Sequence, residues 1–161
     1  MGLEIERKFR VRDARWREAA VREAAFVQAY LTQQGKSSIR VRTDGEQAYL
    51  NIKSVTPGRV RHEFQYAIPL ADAEEILANL CEGPQIAKRR YWVPYGEHTW
   101  EIDVFEGDNA GLVVAEIELG EPDETFERPP WIGAEVTDEL RYYNAALARR
   151  PYCEWTAAER G

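Results

Sequence analysis

The feature that most constrains this chain is a strict alternation that begins with its first residues. In "GLEIERK" (residues 2 to 8), Glu4, Glu6 and Lys8 alternate with Leu3, Ile5 and Arg7. Residues i and i+2 of an extended chain share a face, so one whole face of this segment is ionisable. The same split recurs. One set reads Ile39, Val41; Leu50, Ile52; Phe64, Tyr66; Ala87, Arg89, Tyr91; Trp100, Ile102, Val104; Ala115, Ile117, Leu119. The other reads Arg40, Arg42; Asn51, Lys53; Arg61, Glu63, Gln65; Lys88, Arg90; Glu101, Asp103; Glu116, Glu118.

Turn residues separate these segments. "GK", "DGE" and "TPG" divide strands expected at 25–34, 37–43, 47–55 and 59–69, and "GE" and "GDNAG" divide those at 85–95, 98–107 and 111–120. With residues 2–12 this makes eight strands. Helix formers predict a short helix over 13–25, with Asp13 as its cap; "LADAEEILANLCEG" (70–83) carries an apolar helical side and closes on a glycine suited to a C′ position. A further helix is expected from Asp138 to Arg149, capped by Thr137 or Asp138.

Two folds satisfy the alternation. In a half-exposed sheet the apolar set faces a core and the charged set faces water. Solvated strands usually mix Thr, Ser and Gln among their charges, whereas here nearly every central polar position is ionisable. A closed barrel reverses the assignment, with charges lining the lumen and the apolar set turned outward onto helices and loops. The expected class is therefore mostly β (α+β): an eight-stranded antiparallel β-barrel tunnel with flanking helices and a C-terminal helix, one domain over residues 1–161.

A lumen so charged is costly to keep dry, and calls for water and a highly charged ligand with metal ions. Lys8, Arg40, Arg42, Lys53, Lys88 and Arg90 form a ladder suited to a chain of phosphates. Carboxylates two apart on neighbouring strands supply hard oxygen ligands for Mg²⁺ or Mn²⁺. Together they describe metal-assisted phosphoryl chemistry.

Other chemistries find little support. Neither a Walker A loop, a GxGxxG loop nor a GxSxG elbow is present. Cys81 and Cys153 lie far apart without CxxC spacing and read as reduced structural thiols. His62 and His98 fall on the parity opposite to the charged face and read as structural or surface residues; Tyr30, Gln28 and Thr32 read as lumenal, and Trp16, Trp92, Trp100, Trp131 and Trp155 as outer packing. A formal net charge of −7 argues against a general nucleic-acid coat. No run approaches the about 18 apolar residues of a membrane span, and the first residues lack the pattern of a secretory leader. A cytoplasmic protein with neither membrane nor nucleic-acid partner is expected, and a homodimer is allowed.

These segments resemble one known family. "LEIERKF", "IRVR" (39–42), "LNIKS" (50–54), "RHEFQYAIP" (61–69), "AKRRY" (87–91), "WEIDVFEG" (100–107), "VAEIEL" (114–119) and "EVTDELRYYNAALA" (135–148) follow the order of the CYTH superfamily, the triphosphate tunnel metalloenzymes. The resemblance implies an eight-stranded tunnel holding a triphosphate and divalent metal. It implies metal at Glu4, Glu6, Glu116 and Glu118, supported by Asp103 and Glu63. It places phosphate on Lys8, Arg40, Arg42, Lys53 and Arg90, with Lys88 and Arg61 close by, and gives Glu4, Glu6, Lys8 and Glu118 the catalytic roles. Compact bacterial members with this ending look most like inorganic triphosphatases. Departures are Gln65, where many relatives carry Glu, and Asp138-Glu139-Leu140, where a glycine and a base are expected. The reading is hydrolysis of the terminal phosphoanhydride of inorganic tripolyphosphate or a related triphosphate. A class IV-type adenylate cyclase making cyclic AMP, and a non-catalytic polyphosphate or nucleotide binder, stand as alternatives.

Overall fold

The computed structural model describes residues 2–161. Nine strands form one antiparallel sheet: β1 (Leu3–Val11), β2 (Arg22–Thr32), β3 (Ser37–Thr43), β4 (Ala48–Ser54), β5 (Val60–Ile68), β6 (Glu82–Tyr95), β7 (His98–Phe105), β8 (Val113–Glu118) and β9 (Ile132–Glu135). The order is β5-β4-β3-β2-β6-β7-β8-β1-β9, and β5 also pairs with β1. That last pairing, with Leu3 opposite His62 and Glu4 opposite Arg61, closes an eight-stranded barrel. Beyond it β1 runs on past β5, and β9 takes up its free edge from Phe9 to Val11.

Turn chemistry sets the meander. Between β3 and β4, Asp44 Oδ1 accepts from the amides of Glu46 and Gln47, and Gly45 takes the left-handed φ of +92° that this "DGE" turn needs.

The apolar set does face outward, onto two separate layers. Phe9, Trp100, Ile102, Ala115 and Ile117 pack beneath a strap that brings Leu119, Phe126, Trp131 and Ile132, with Trp16 alongside. Val41, Ala48 and Leu50 pack beneath α1 (Leu70–Asn79) through Ala73, Ile76 and Leu77. Leu3 departs from this expectation: it is 57% exposed, and Phe64 (43%) and Tyr66 (55%) on β5 are likewise uncovered, because the strap and α1 reach the other staves. Trp92 departs too. It shares the parity of Lys88 and Arg90 and meets Phe26 of the neighbouring β2 edge-on; Trp16, Trp100 and Trp131 lie in the outer layer as expected, whereas Trp155 belongs to the cluster that closes the barrel.

A third apolar cluster lies inside the barrel. Tyr30, Ile86, Phe105 and Val114 have the lumenal parity, and at this end they meet Val136, Tyr142, Leu147 and Trp155 of the C-terminal segment. The barrel thus has an apolar plug at one end.

The helices differ most from expectation. Residues 13–25 hold only a 3-10 turn, Arg15–Ala19, and β2 begins at Arg22, because "REAAFVQ" pairs with β6 from Trp92 to Ile86. Pairing with β6 outweighs the helix preference of Ala, Glu and Arg, and β3 joins on the other edge from Val27. Helix α1 ends at Asn79, and Gly83 (φ +72°) opens β6. The C-terminal helix is broken into a 3-10 turn at Leu140–Tyr142 and the short α2 (Asn144–Leu147), with Tyr143 extended between them. Thr137 caps neither; its hydroxyl accepts from the Lys8 amide. No helix among the described residues is long and apolar enough to cross a membrane.

Candidate active site

The lumen encloses a cavity of about 680 Å³, within the range of small-molecule sites. Glu4, Glu6, Lys8, Arg40, Arg42, Lys53, Arg61, Glu63, Lys88, Arg90, Glu116 and Glu118 all line it, as does Glu101. Their convergence follows from register: Glu6 faces Glu118, Lys8 faces Glu116, Glu101 faces Glu116, and Lys53 faces Glu63 across adjacent staves. Asp103 is not among the lining residues; it is fully buried behind its cations.

On the plug side the charges neutralise one another. Asp103 accepts two hydrogen bonds from Arg90, at 2.7 and 2.9 Å, and one from Lys88 at 2.7 Å. Burial pushes the Asp103 carboxyl up, but Arg90 and Lys88 outweigh it and hold it down at about 2. Glu116 accepts from Lys8 Nζ at 2.8 Å and lies 3.8 Å from Arg90. Burial again opposes ionisation, and Lys8, Arg90 and Lys88 again overcome it, leaving Glu116 well below the carboxylate range. Lys8 is correspondingly raised: its burial cost is exceeded by Glu116 and Glu6. Lys88 is pushed by burial down to about 8, against the pull of Asp103.

Toward the other side compensation is incomplete: Arg61 lies 3.5 Å from Glu4 and 3.4 Å from Glu6, and Lys53 lies 3.6 Å from Glu4, but Glu118 has no cation partner among the described residues. One carboxylate oxygen from each of Glu4, Glu6 and Glu118 lies within 4.8 Å of the others, close enough to converge on a single cation. Burial and then Glu116 push Glu6 up to about 8. Glu118 is raised as well, by burial and then by Glu101. Glu4 feels burial first, but Lys53 and Arg61 bring it below its usual value. Hard oxygen donors held against their own repulsion fit a divalent metal. Glu63 is 3.7 Å from Lys53 and outside this trio.

The cations nearby are also under-partnered. Arg40 rests on a neutral acceptor, Asn51 Oδ1, at 3.2 and 3.4 Å. Asn51 is turned that way because its amide donates to Gln65 Oε1 at 2.8 Å. Arg42 Nε is buried without a partner, and burial, then Arg40 and Arg90, lower this guanidinium to about 10. Lys53 is lowered to about 7 by burial and by Arg40.

Besides Glu101, three contributors are not among the site residues expected from sequence. Phe26 lies beneath Arg42 and Arg90, with Cζ atoms 4.6 and 5.5 Å from its ring centroid; the parity it shares with Gln28 was a usable signal. Tyr143 lies against Lys8 and Arg61, and its hydroxyl donates to the Thr137 carbonyl at 2.6 Å. Asn144 Oδ1 accepts from Lys88 at 3.1 Å and from Gln28 at 2.9 Å. Strand parity could not reveal the last two, which reach the lumen from the broken C-terminal helix.

Comparison with known proteins agrees with this geometry. The CYTH domain model matches residues 2–152. The chain belongs to the CYTH family. Within it, the chain is 43% identical over 152 residues to an inorganic triphosphatase of Acetivibrio thermocellus, covering 94% of this chain and 97% of that protein. An inorganic triphosphatase of Nitrosomonas europaea is 36% identical over 150 residues, covering 90% and 96%. A crystal structure of an inorganic triphosphatase superposes with a TM-score of 0.66 at 32% identity, over 90% of this chain and 93% of its own. The CYTH assignment spans the staves and most of the plug, so the charged lumen and the segment that closes it lie within the family's domain.

Proposed function

We propose that this protein hydrolyses the terminal phosphoanhydride of inorganic tripolyphosphate, with Mg²⁺ or Mn²⁺ held by Glu4, Glu6 and Glu118. The observation that carries the reading is the incomplete compensation on one side of the lumen: three converging carboxylates, paired only loosely or not at all, beside three cations, Arg40, Arg42 and Lys53, of which the two arginines have no carboxylate partner among the described residues. A polyanion with a divalent metal satisfies both groups at once, and relatives bear the name inorganic triphosphatase.

The chain's own residues divide the work. Arg40, Arg42 and Lys53 grip phosphate oxygens, with Arg61, Lys88 and Arg90 adding field from behind. The metal, when bound, withdraws charge from phosphate oxygens and lowers the proton affinity of water. Water attacks the terminal phosphorus, forming one P–O bond as the bond to the bridging oxygen breaks, and orthophosphate and pyrophosphate leave. Glu118, raised from its usual value by burial and by Glu101, is suited to accept the water proton on an Oε. Lys8 stays charged between Glu116 and Glu6 and stabilises negative charge on the departing phosphates. Glu116 and Asp103 act as positioning residues that hold Lys8, Lys88 and Arg90. We place the protein in the cytoplasm, as expected of an enzyme acting on soluble triphosphates.

The test is a panel of triphosphates with product identification. Equal release of orthophosphate and pyrophosphate from tripolyphosphate, requiring Mg²⁺ or Mn²⁺, is expected. No turnover at high enzyme contradicts the reading, and cyclic nucleotide with pyrophosphate from ATP replaces it with a cyclase.

A further inference from the structure

The lumenal cations differ in what holds them in place. Lys8, Lys88 and Arg90 lean on Glu116 or Asp103, Arg61 on Glu4 and Glu6, Lys53 loosely on Glu4 and Glu63, and Arg40 on Asn51. Arg42 has neither a carboxylate partner nor a hydrogen-bond acceptor among the described residues, and its buried Nε is unpaired. What contacts its head is the ring of Phe26, 4.6 Å from Cζ.

Register explains the contact. On β2, Gln28 pairs with Arg42 of β3 on one side, while Ala24 pairs with Arg90 and Phe26 with Lys88 of β6 on the other. Phe26 is therefore the diagonal neighbour of both arginines on the lumenal face, within reach of an aromatic side chain. Arg90 is fixed independently by its two bonds to Asp103, so it does not depend on the ring. Arg42 does. Phe26 is itself buried and absent from the cavity lining, so it cannot touch a ligand there.

We propose that Phe26 is a positioning residue, a cation–π platform that keeps the otherwise unpartnered Arg42 aimed into the lumen and so sets affinity for the triphosphate chain. A buried guanidinium with no acceptor gains by facing the negative face of a ring, and an arginine already held over one loses less freedom when phosphate arrives. The proposal rests on the functional reading above for the identity of the anion. Arg42 grips ground state and transition state alike, so the platform acts on binding rather than on the chemical step.

The test measures tripolyphosphate binding by titration calorimetry in metal-free buffer, beside steady-state turnover with Mg²⁺. Phe26→Leu is expected to weaken binding about tenfold, the effect of a desolvated cation–π contact, and to raise KM similarly with kcat changed less than about twofold. In an Arg42→Ala background the same substitution should add nothing. Fluorinated phenylalanines at position 26, which weaken the ring's charge distribution while keeping its shape, should lower affinity stepwise; they carry the test if Phe26→Leu does not fold. Wild-type affinity in Phe26→Leu, an undiminished effect in the Arg42→Ala background, or a flat fluorination series would each overturn the proposal. Binding without turnover in the wild type would contradict the hydrolase reading alone and leave the platform tested by the calorimetry.

Discussion

Asp103 and Glu6 are both buried carboxylates with lumenal parity in the same barrel, yet their proton affinities move in opposite directions. Burial pushes each upward; Arg90 and Lys88 reverse it for Asp103, down to about 2, whereas Glu116 adds to it for Glu6, up to about 8. The difference teaches how to divide a charged lumen. Where acids and bases are matched at hydrogen-bond distance, charge serves the fold. Where like charges are gathered, as in Glu4, Glu6 and Glu118, Arg61 and Lys53 offset only part of the cost and a ligand relieves the rest.

The comparison breaks most visibly on the matched side. Asp103→Asn leaves Lys88 and Arg90 buried without their counter-charge, and should destabilise the protein by about 3–5 kcal/mol in chemical denaturation. A loss under about 1 kcal/mol would mean that the cluster of Asp103, Lys88 and Arg90 is not structural. On the unmatched side, Glu4→Gln and Glu118→Gln should lower kcat for tripolyphosphate by about 10²-fold, the scale of one lost electrostatic stabiliser, while the denaturation midpoint barely moves. Steady-state rates and unfolding curves on the same preparations check both halves of that statement.

A smaller effect lies outside the lumen. Glu135 on β9 accepts from Arg7 Nε at 2.8 Å, and that bond, against a modest burial cost, lowers its carboxyl to about 2. A lowered folded-state value stabilises the protein fully above the unfolded value of 4.5, and the benefit is lost as pH falls from there toward 2. Glu135→Gln should therefore lower stability at pH 7, where the benefit is fully present, flatten the acid limb between 4.5 and 2, and converge with wild type at the acid end. An unchanged acid limb would show that the pair contributes nothing to the β9 clasp.

How much of this could be read from the chain depends on the periodicity available. The strands were legible because a period of two survives in every stave, and Ile102 beside Asp103, or Ile117 beside Glu116, states which face is which. Closure could be inferred because so uniformly ionisable a face makes a poor solvated surface. The length of β2 was not legible, since "REAA" is good helix sequence that only pairing with β6 overrides. Nor was the plug. The lumenal parity changes from charged to apolar at Ile86, Phe105 and Val114, a change that has meaning only once Leu147 and Trp155 are packed against it. Tyr143 and Asn144 were hidden for a related reason: a predicted continuous helix is broken so that their polar atoms can bond Thr137, Gln28 and Lys88. Within the site, ion pairing decides which acids are available, and pairing is a matter of distance that spacing alone does not give. Asp103 and Glu6 look equivalent along the chain, and the positions of Arg90, Lys88 and Glu116 separate them.

The most direct test of this division is the unfolding of wild type and Glu6→Gln at pH 7, each without metal and with saturating Mg²⁺. If Glu6 belongs to an incompletely compensated group, the variant is at least as stable as wild type without metal and loses the stabilisation that Mg²⁺ gives wild type. A metal-free loss of several kcal/mol in Glu6→Gln, matching that of Asp103→Asn, would contradict the account.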